Sequence, residues 1–508
     1  MIVYREQSRT VPTAEVLARI EAAGNPLERL IEIGELEAGV ADALSPDCDR
    51  DHPVLAALRR AAIRNEAPRI PGLPETITIS VPEGYAYYAL YPETYRMAAR
   101  AFWNEARPAR VAVLGIRSIG TSLSAVVAAE LEGAGCEVHS WTVRPRGHPF
   151  DRRLIAEPEL QRRWRELAGA YFAVVDEGPG LSGSSFASVV AALSAAGVPE
   201  QRIVLFPSWT PDGSAFVSEA ARLCWPRHRK YVASFEDLGM FPGARDLSSG
   251  NWRTCIGAEV AVQPQHERRK YLADGRLYKF AGLGRYGRGA FERAQVLAAA
   301  GFGPPVEELA SGFVSGPWVS GRPLVPGDMT DDLLDVMARY LAFRSREFQC
   351  RGGSQLTEMI RVNVEEGLGL RLDLSPPDGH ACAIDNRMFP HEWLRTASGY
   401  LKTDAVDHYD DHFYPGPQDI AWDLAAAAIE FDMDAEAATA LASRYVAHSD
   451  DRGIHSRLPF HRLAWLAFRL GYADMAAGAL GDTPDGARFR RQRERYAELL
   501  LREIRRYA

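Results

Sequence analysis

Apolar residues recur at helical spacing from the start of the chain to about Arg69, in a stretch rich in Leu, Ala and Glu. Pro68, Pro71 and Pro74 break that pattern, and the strict alternation of TITISV at 76–81 predicts a half-buried strand. Short apolar runs follow at 110–115 (RVAVLG), 136–144, 171–175 (YFAVV), 202–208 and 230–234, with helix-like stretches at 123–131 and 186–196 between them. Strands alternating with helices predict an α/β domain built on a parallel sheet of about four or five strands. Residues 241–253 are polar and loop-like, and the pattern then changes. Runs at 268–271 and 277–280 flank the turn pair Asp274-Gly275 and predict a hairpin, followed by a helix over 290–300. From about Ala437 the spacing is helical, with 457–472 apolar along one face and 488–506 mixing basic residues with Leu499, Leu500 and Ile504.

A chain of 508 residues is too long for one core and predicts about two to four domains. The composition shifts divide it into an N-terminal helical segment (1–75), an α/β domain (76–235), a linker (236–265), an α+β domain (266–445) and C-terminal helices (446–508). A net charge of −8 gives no reason to expect nucleic acid, and the C-terminal arginines read as solvated salt-bridge partners. Six cysteines, at 48, 136, 224, 255, 350 and 382, form neither a CxxC pair nor a disulfide framework, so reduced thiols in a cytoplasmic protein are expected. The opening MIVYREQSRT has no basic-then-apolar signal, and no apolar run approaches a membrane span.

The densest chemistry lies in YFAVVDEGPGLSGSS at 171–185. A buried strand ends in Asp176 and Glu177, and a small-residue loop then leads into a helix, so backbone N–H groups at the helix start face the loop. The bland reading is a capped strand-to-helix turn. The lysine of a Walker A loop is absent. This order resembles the donor-binding signature of type I phosphoribosyltransferases, although the loop is about one residue longer than the usual form. The resemblance implies that Asp176 and Glu177 hold ribose hydroxyls of PRPP and that Gly180, Ser182, Gly183, Ser184 and Ser185 wrap its 5-phosphate. It also implies that Arg117, Ser118, Gly120 and Thr121, in IRSIGTS after the 110–115 strand, meet the pyrophosphate with Mg2+. The basic segment 144–153, with Arg144, Arg146, Arg152 and Arg153, stands where a mobile loop would neutralise the leaving group; a solvated surface loop is the alternative. Tyr85, Tyr87, Tyr88 and Tyr91 either line an acceptor pocket or pack half-buried.

The second α+β region places Lys279 on a strand (LYKF) and Glu292 on the following helix, where the two are expected to pair. Such a pair positions ATP phosphates in the kinase fold. With GFGPPV, GFVSGPWVSGRPL, DNRMFPHEWL, GYLKTD and PQDIAWDLAAAAIEF, the region resembles small-molecule kinases of the aminoglycoside phosphotransferase and choline kinase type. The resemblance implies a bilobal fold, Asp385 as catalytic base and Asp404 as magnesium ligand, 19 residues apart. The family's Asn five residues after the base is Pro390 here, and its His two residues before is Ala383. Glu392 or His391 would take the second metal contact, or the site has lost it. Asp404, Asp407, His408, Asp410, Asp411 and His412 also suit a metal cluster, and an acidic solvated loop is the rival reading. Trp393 and Trp422 read as core. The expectation is a bifunctional transferase using PRPP, ATP and Mg2+; the alternative is a PRPP- or nucleotide-sensing regulator with a pseudokinase scaffold.

Overall fold

The computed structural model describes residues 1–5, 7–47, 52–148, 150–257, 259–350, 352 and 356–507; Cys48 lies outside them. The chain divides into two compact units: Gln7–Pro242 with Gly282–Tyr286, and Met1–Glu6 with Gly243–Ala281 and Gly287–Ala508. Among the described residues no helix is long and apolar enough to cross a membrane.

In the N-terminal unit, β1 (Ser8–Pro12) is followed by helices α1 (Thr13–Ala22), α2 (Pro26–Leu44) and α3 (Pro53–Arg64). The alternating TITISV run gives β2 (Thr76–Ser80), which buries Ile77 and Ile79 and pairs antiparallel with β1, so it stands outside the parallel sheet. Short α4 (Glu83–Ala86) and α5 (Pro92–Ala106) lead to β3 (Arg110–Ile116), α6 (Ile119–Gly133) and β4 (Glu137–Val143). Next come α7 (Pro158–Glu166), β5 (Tyr171–Val175), α8 (Ser184–Ala195), β6 (Ile203–Phe206), α9 (Glu219–Cys224) and β7 (Arg229–Lys230). The five strands β3 to β7 form a parallel sheet in the order β4-β3-β5-β6-β7. Val113, Leu114, Val174 and Val175 are wholly buried, as continuous apolar runs in a two-faced parallel sheet require. The strand order reverses between β3 and β5, and ligands of open α/β sheets bind at the carboxyl ends of strands beside such a reversal.

The C-terminal unit holds a second, antiparallel sheet in the order β11-β12-β10-β9-β8. Its strands are β8 (Arg245–Asp246), β9 (Lys270–Ala273), β10 (Arg276–Phe280), β11 (Glu308–Ala310) and β12 (Phe313–Pro317). Short α10 (Arg253–Ile256) follows β8, and α11 (Arg285–Ala299) follows β10. Beyond β13 (Arg322–Pro323), the Thr330 side chain accepts from Leu333 N and caps α12 (Asp331–Glu347), whose first turn carries Asp331 and Asp332. Helix α13 (Leu356–Leu368) precedes β14 (Ala381–Cys382); β15 (Trp393–Thr396) and β16 (Gly399–Lys402) form a hairpin, and β17 (Gln418–Asp419) pairs back with β14. Helices α14 (Ala421–Glu430), α15 (Ala435–Ser449), α16 (Ile454–Leu480) and α17 (Pro484–Tyr507) complete the unit. Trp393, Trp422 and Trp465 sit in its core.

Candidate functional sites

In the N-terminal unit, the loops after β3 and β5 meet at the strand-order reversal. Gly120 opens α6 against the end of β5: a Cβ there would stand 2.8 Å from Val175 O and 3.1 Å from Asp176 Oδ1, so only glycine permits the approach. Ser118 holds φ at 100°, where side chains other than glycine are strained, and strain of this kind gathers at ligand-binding loops. Asp176 Oδ1 accepts from Glu177 N at 2.8 Å, and Glu177 Oε2 accepts from Gly84 N at 3.0 Å. Tyr95 donates its hydroxyl to Asp176 O at 2.7 Å and fixes the turn. Burial pushes the Asp176 carboxyl up to about 7 and the Glu177 carboxyl up to about 8; Glu83 and Asp176 add repulsion at Glu177.

These values give a pH prediction. Both carboxyls are raised on folding from ordinary values of 3.8 and 4.5, so the folded chain binds more protons than the unfolded chain between about pH 4 and 8. Stability contributed by the protonated acids is therefore complete below the unfolded values and is lost as pH rises through the folded ones. Allowing for the partial exposure of both groups, urea unfolding at pH 5 and 8.5 should differ by on the order of 2 kcal/mol. The Asp176→Asn/Glu177→Gln chain should lose most of that difference, and an unchanged difference would exclude these acids as its source.

The other expected donor-site residues separate into two groups. Gly180 is exposed, Ser118, Ser182 and Ser185 are partly exposed, and Ser182 and Ser184 bring their hydroxyl oxygens to 3.0 Å. Gly183 adopts φ of 64° at the start of α8, where a Cβ would meet Ala221 Cβ at 2.9 Å. Ser184 and Thr121 are buried, and the Thr121 hydroxyl has no hydrogen-bond partner. The Arg117 side chain is wholly buried and donates to Asp42 Oδ1 at 3.1 Å, to Ser45 O at 2.6 Å and to Thr142 Oγ1 at 3.0 Å. In this arrangement the guanidinium is engaged by α2, the chain just after it and β4. In the basic segment, Arg144 pairs with Asp42 at 2.6 Å, Arg146 pairs with Asp47 at 2.9 Å, and Arg146 and Arg153 form a backbone bridge. Tyr85, Tyr87 and Tyr91 are buried; Tyr85 also lines a small cavity with Glu35, Ser118, Ser122 and Arg144.

The C-terminal unit gathers a second constellation around Lys279. From β10, Lys279 Nζ donates to Asp404 Oδ1 and, at 3.0 Å, to Asp407 Oδ1. Lys270 Nζ, one strand over on β9, lies 3.7 Å from Asp404 Oδ2 and 3.1 Å from Glu267 Oε2. Arg268 Nε stands 2.8 Å from Asp407 Oδ2. Burial is the largest single influence and would raise the Asp404 and Asp407 carboxyls, but the summed attraction of Lys279, Lys270 and His408 at Asp404, and of Lys279, Arg268 and His408 at Asp407, outweighs it and holds both well below the usual range. Ligand atoms of Asp404, Asp407 and His408 all lie within 4.8 Å of one another. Two ionised carboxylates form an oxygen donor set of the kind that holds a hard cation such as Mg2+, but their oxygens are engaged by Lys279, Lys270 and Arg268, which such a cation would have to displace. The expected Lys279–Glu292 pair does not form: Glu292 is exposed on α11, and Lys279 turns to the two aspartates.

Asp385 is fully buried. Asp423, on α14, accepts from the backbone N–H of Asp385 at 2.6 Å and of Asn386 at 2.9 Å and so supports the loop from beneath. Asn386 turns at φ of 64° and accepts from Trp422 Nε1 at 3.0 Å. The Asp385 carboxylate accepts from the Tyr340 hydroxyl and from Arg387 N at 3.0 Å, and Lys402 Nζ stands 3.2 Å away. Glu392 is also buried, with Lys402 Nζ at 3.1 Å and Arg387 Nη2 at 2.6 Å. The expectation that Glu392 offers a metal ligand meets a filled position: both of its oxygens are taken by cations of the chain. His391 is stacked between Trp252 and Phe389, with ring centroids 5.7 and 5.5 Å away, and burial lowers its pKa to about 3.

Several organising residues were not singled out from sequence. Lys402 ends a short strand directly before Thr403-Asp404, and that adjacency is the signal that would have found it. Arg344, wholly buried on α12, donates to Ala383 O, Ile384 O and Ala405 O and so ties the loop before Asp385 to the loop after Asp404. Its only mark in sequence is a charge on an apolar helix face.

No family model and no curated protein matches this chain. Solved structures do. The choline kinase LicA from Streptococcus pneumoniae is 14% identical and aligns over 50% of this chain and 98% of its own, with a TM-score of 0.33. A choline/ethanolamine kinase family protein from Mesorhizobium loti is 14% identical over 47% of this chain and 88% of its own, with a TM-score of 0.33. Aminoglycoside 2'-phosphotransferase-IIIa, in its GDP complex, is 11% identical over 51% of this chain and 97% of its own, with a TM-score of 0.30. About half of this chain is therefore similar, distantly, to small-molecule kinases, and the site stands on its own residues.

Proposed function

We propose that the C-terminal unit binds Mg-ATP and transfers its terminal phosphoryl group to a hydroxyl of a small molecule. The observation that carries this reading is the convergence of Lys279 from β10 with Asp404 and Asp407 from the loop after β16. In the proposed cycle Lys279 exchanges its aspartate partners for phosphate oxygens of ATP, and Asp404 and Asp407 turn to Mg2+. Bound Mg2+ supplies neutralisation of charge on the phosphate oxygens. Asp385 is assigned the hydroxyl proton, and Asp423 and Arg344 hold its loop in place. The test is ADP release from ATP across a library of small alcohols and amino alcohols. A second reading, nucleotide binding without transfer, is favoured by one feature: the Asp385 carboxylate is buried and already bonded to Tyr340, Arg387 and Lys402. Binding without ADP release for any acceptor would select it.

For the N-terminal unit the proposal is binding of a 5-phosphoribosyl donor at the reversal of strand order. Asp176 and Glu177 would accept from ribose hydroxyls, and the loop 180–185 with the start of α8 would hold the 5-phosphate. Phosphoribosyl transfer to an acceptor is the activity this site would serve. PRPP with Mg2+ should raise the melting temperature of the wild-type chain, and Asp176→Asn/Glu177→Gln should remove the shift. An equal shift in both chains would refute the assignment.

A further inference from the structure

The first residues of the chain fold into the C-terminal unit, although Gln7–Pro242 of the other unit stand between them and the rest of it. Val3 lies in the core of the C-terminal unit and packs on α16, where a Cβ on Gly471 would stand 3.0 Å from Val3 Cγ1. Asn363, wholly buried on α13, takes both backbone groups of Ile2. Its Oδ1 accepts from Ile2 N at 2.5 Å, and its Nδ2 donates to Ile2 O at 2.9 Å and to Ala467 O at 3.1 Å. From this anchor the segment runs antiparallel to residues 412–414. Arg5 N donates to His412 O at 2.8 Å, Tyr414 N donates to Val3 O at 3.2 Å, and Tyr4 and Phe413 form an antiparallel bridge. Arg5 Nη2 donates to Tyr409 O at 3.3 Å and to Asp411 O at 2.9 Å. The Tyr4 and His412 rings are stacked, with centroids 5.5 Å apart.

Residues 409–414 are the second half of the loop between β16 and β17, whose first half carries Asp404, Asp407 and His408. The loop contains one turn of 3-10 helix, His408–Asp410, so most of its backbone groups must find partners elsewhere. In the first half those partners are side chains of α11 and α12: Arg293 donates to Val406 O at 2.9 Å and Arg344 to Ala405 O at 2.7 Å. In the second half, the carbonyls of Tyr409, Asp411 and His412 and the N–H of Tyr414 find theirs on Val3 and Arg5. Arg268 links the halves, 3.9 Å from Asp411 Oδ2 and 2.8 Å from Asp407 Oδ2.

We propose that residues 2–5 are a strap that sets the position of the loop bearing Asp404 and Asp407, with Arg5 a positioning residue for the nucleotide site. Among the described residues no hydrogen bond or ion pair joins Arg5 to Lys279, Asp404 or Asp407, so its effect passes through the backbone of 409–414. The consequence for binding rests on the nucleotide reading, whereas the order of the loop is measured without nucleotide.

The experiment is hydrogen–deuterium exchange on the full-length wild-type and Arg5→Ala chains, with Mg-ATP affinity measured for both. Arg5→Ala removes a charged donor from two carbonyls, so amides in 404–414 should exchange faster by about tenfold or more, while α12 and α16 stay within about twofold of wild type. Mg-ATP affinity should fall by about tenfold or more. Arg9→Ala, which removes an exposed arginine on β1, should change neither quantity. Unchanged exchange over 404–414 in Arg5→Ala would overturn the proposal. Faster exchange there with Mg-ATP affinity within about twofold of wild type would overturn it as well. Equal acceleration in α12 and α16 would make the segment a general stabiliser of the unit and also defeat the proposal. A wild-type chain that binds no Mg-ATP sinks the nucleotide reading, and the exchange comparison alone then decides whether the strap sets the loop.

Discussion

Arg344→Met should lower the unfolding free energy of the chain by about 3–5 kcal/mol, the largest stability effect expected of a single substitution near the second site. The guanidinium is wholly buried and donates to Ala383 O at 3.1 Å, Ile384 O at 2.8 Å, Ala405 O at 2.7 Å and the Tyr340 hydroxyl at 2.9 Å. Methionine fills similar space but offers no donor, so three buried carbonyls would lose their partner and the desolvation of each would go uncompensated. Lysine should fail as well, since a single ammonium cannot span the fork of acceptors that a guanidinium serves. Arg346, two residues on and exposed, donates to His448 O at 2.7 Å, and Arg346→Met should cost less than about 1 kcal/mol. Urea unfolding of the two variants makes the comparison. A loss below about 1 kcal/mol for Arg344→Met would show that the loops around Asp385 and Asp404 do not depend on this tie.

The contrast between these two arginines also shows where the sequence was legible. Strands β3 and β5 stood out because a parallel strand buried on both faces must be a continuous apolar run, and the loops that follow such strands inherit their places from them. Asp176, Glu177 and Gly120 could therefore be placed near one another before any coordinates. Lys279 and Asp404 were legible for a similar reason, each lying on or just after a short strand. Pairing was not. Lys279 chose Asp404 and Asp407 over Glu292 because α11 turns Glu292 outward, and helix rotation is not written in the spacing of one acid. Arg117 looked like a ligand contact because it follows a strand, but Asp42 on α2, 75 residues earlier in the chain, claims it. The strand at 76–81 had the right alternation for a sheet with one wet face, and that alternation fits its pairing with β1 rather than a place in the parallel sheet. Arg344 and Lys402 act on carbonyls and carboxylates distant in sequence, so neither could be recognised from its neighbours.

Asp404→Ala and Asp385→Asn should fail in different ways. Asp404 pairs with Lys279 and lies within ligand distance of Asp407 and His408, so its loss removes an oxygen donor for Mg2+ and one of the two aspartate partners of Lys279. Affinity for Mg-ATP should fall by about 100-fold or more. Asp385 lies in the loop supported by Asp423 and pairs with Lys402, and among the described residues no hydrogen bond or ion pair joins it to Lys279 or Asp404, so Asp385→Asn should leave nucleotide affinity within about threefold. Its proposed role is in the transition state, and phosphotransfer should fall by about 100-fold to 10000-fold. Equal losses of binding in both variants would mean that the substitutions disturb one common structure rather than two separate roles.

The most direct measurement is calorimetric titration of the full-length chain with Mg-ATP at millimolar nucleotide, with the Asp404→Ala chain titrated beside it. The account predicts saturable binding by the wild-type chain that depends on Mg2+ and is lost in Asp404→Ala. Absence of binding by the wild-type chain, or the same isotherm for both, would contradict the assignment of Lys279, Asp404 and Asp407 to a nucleotide site.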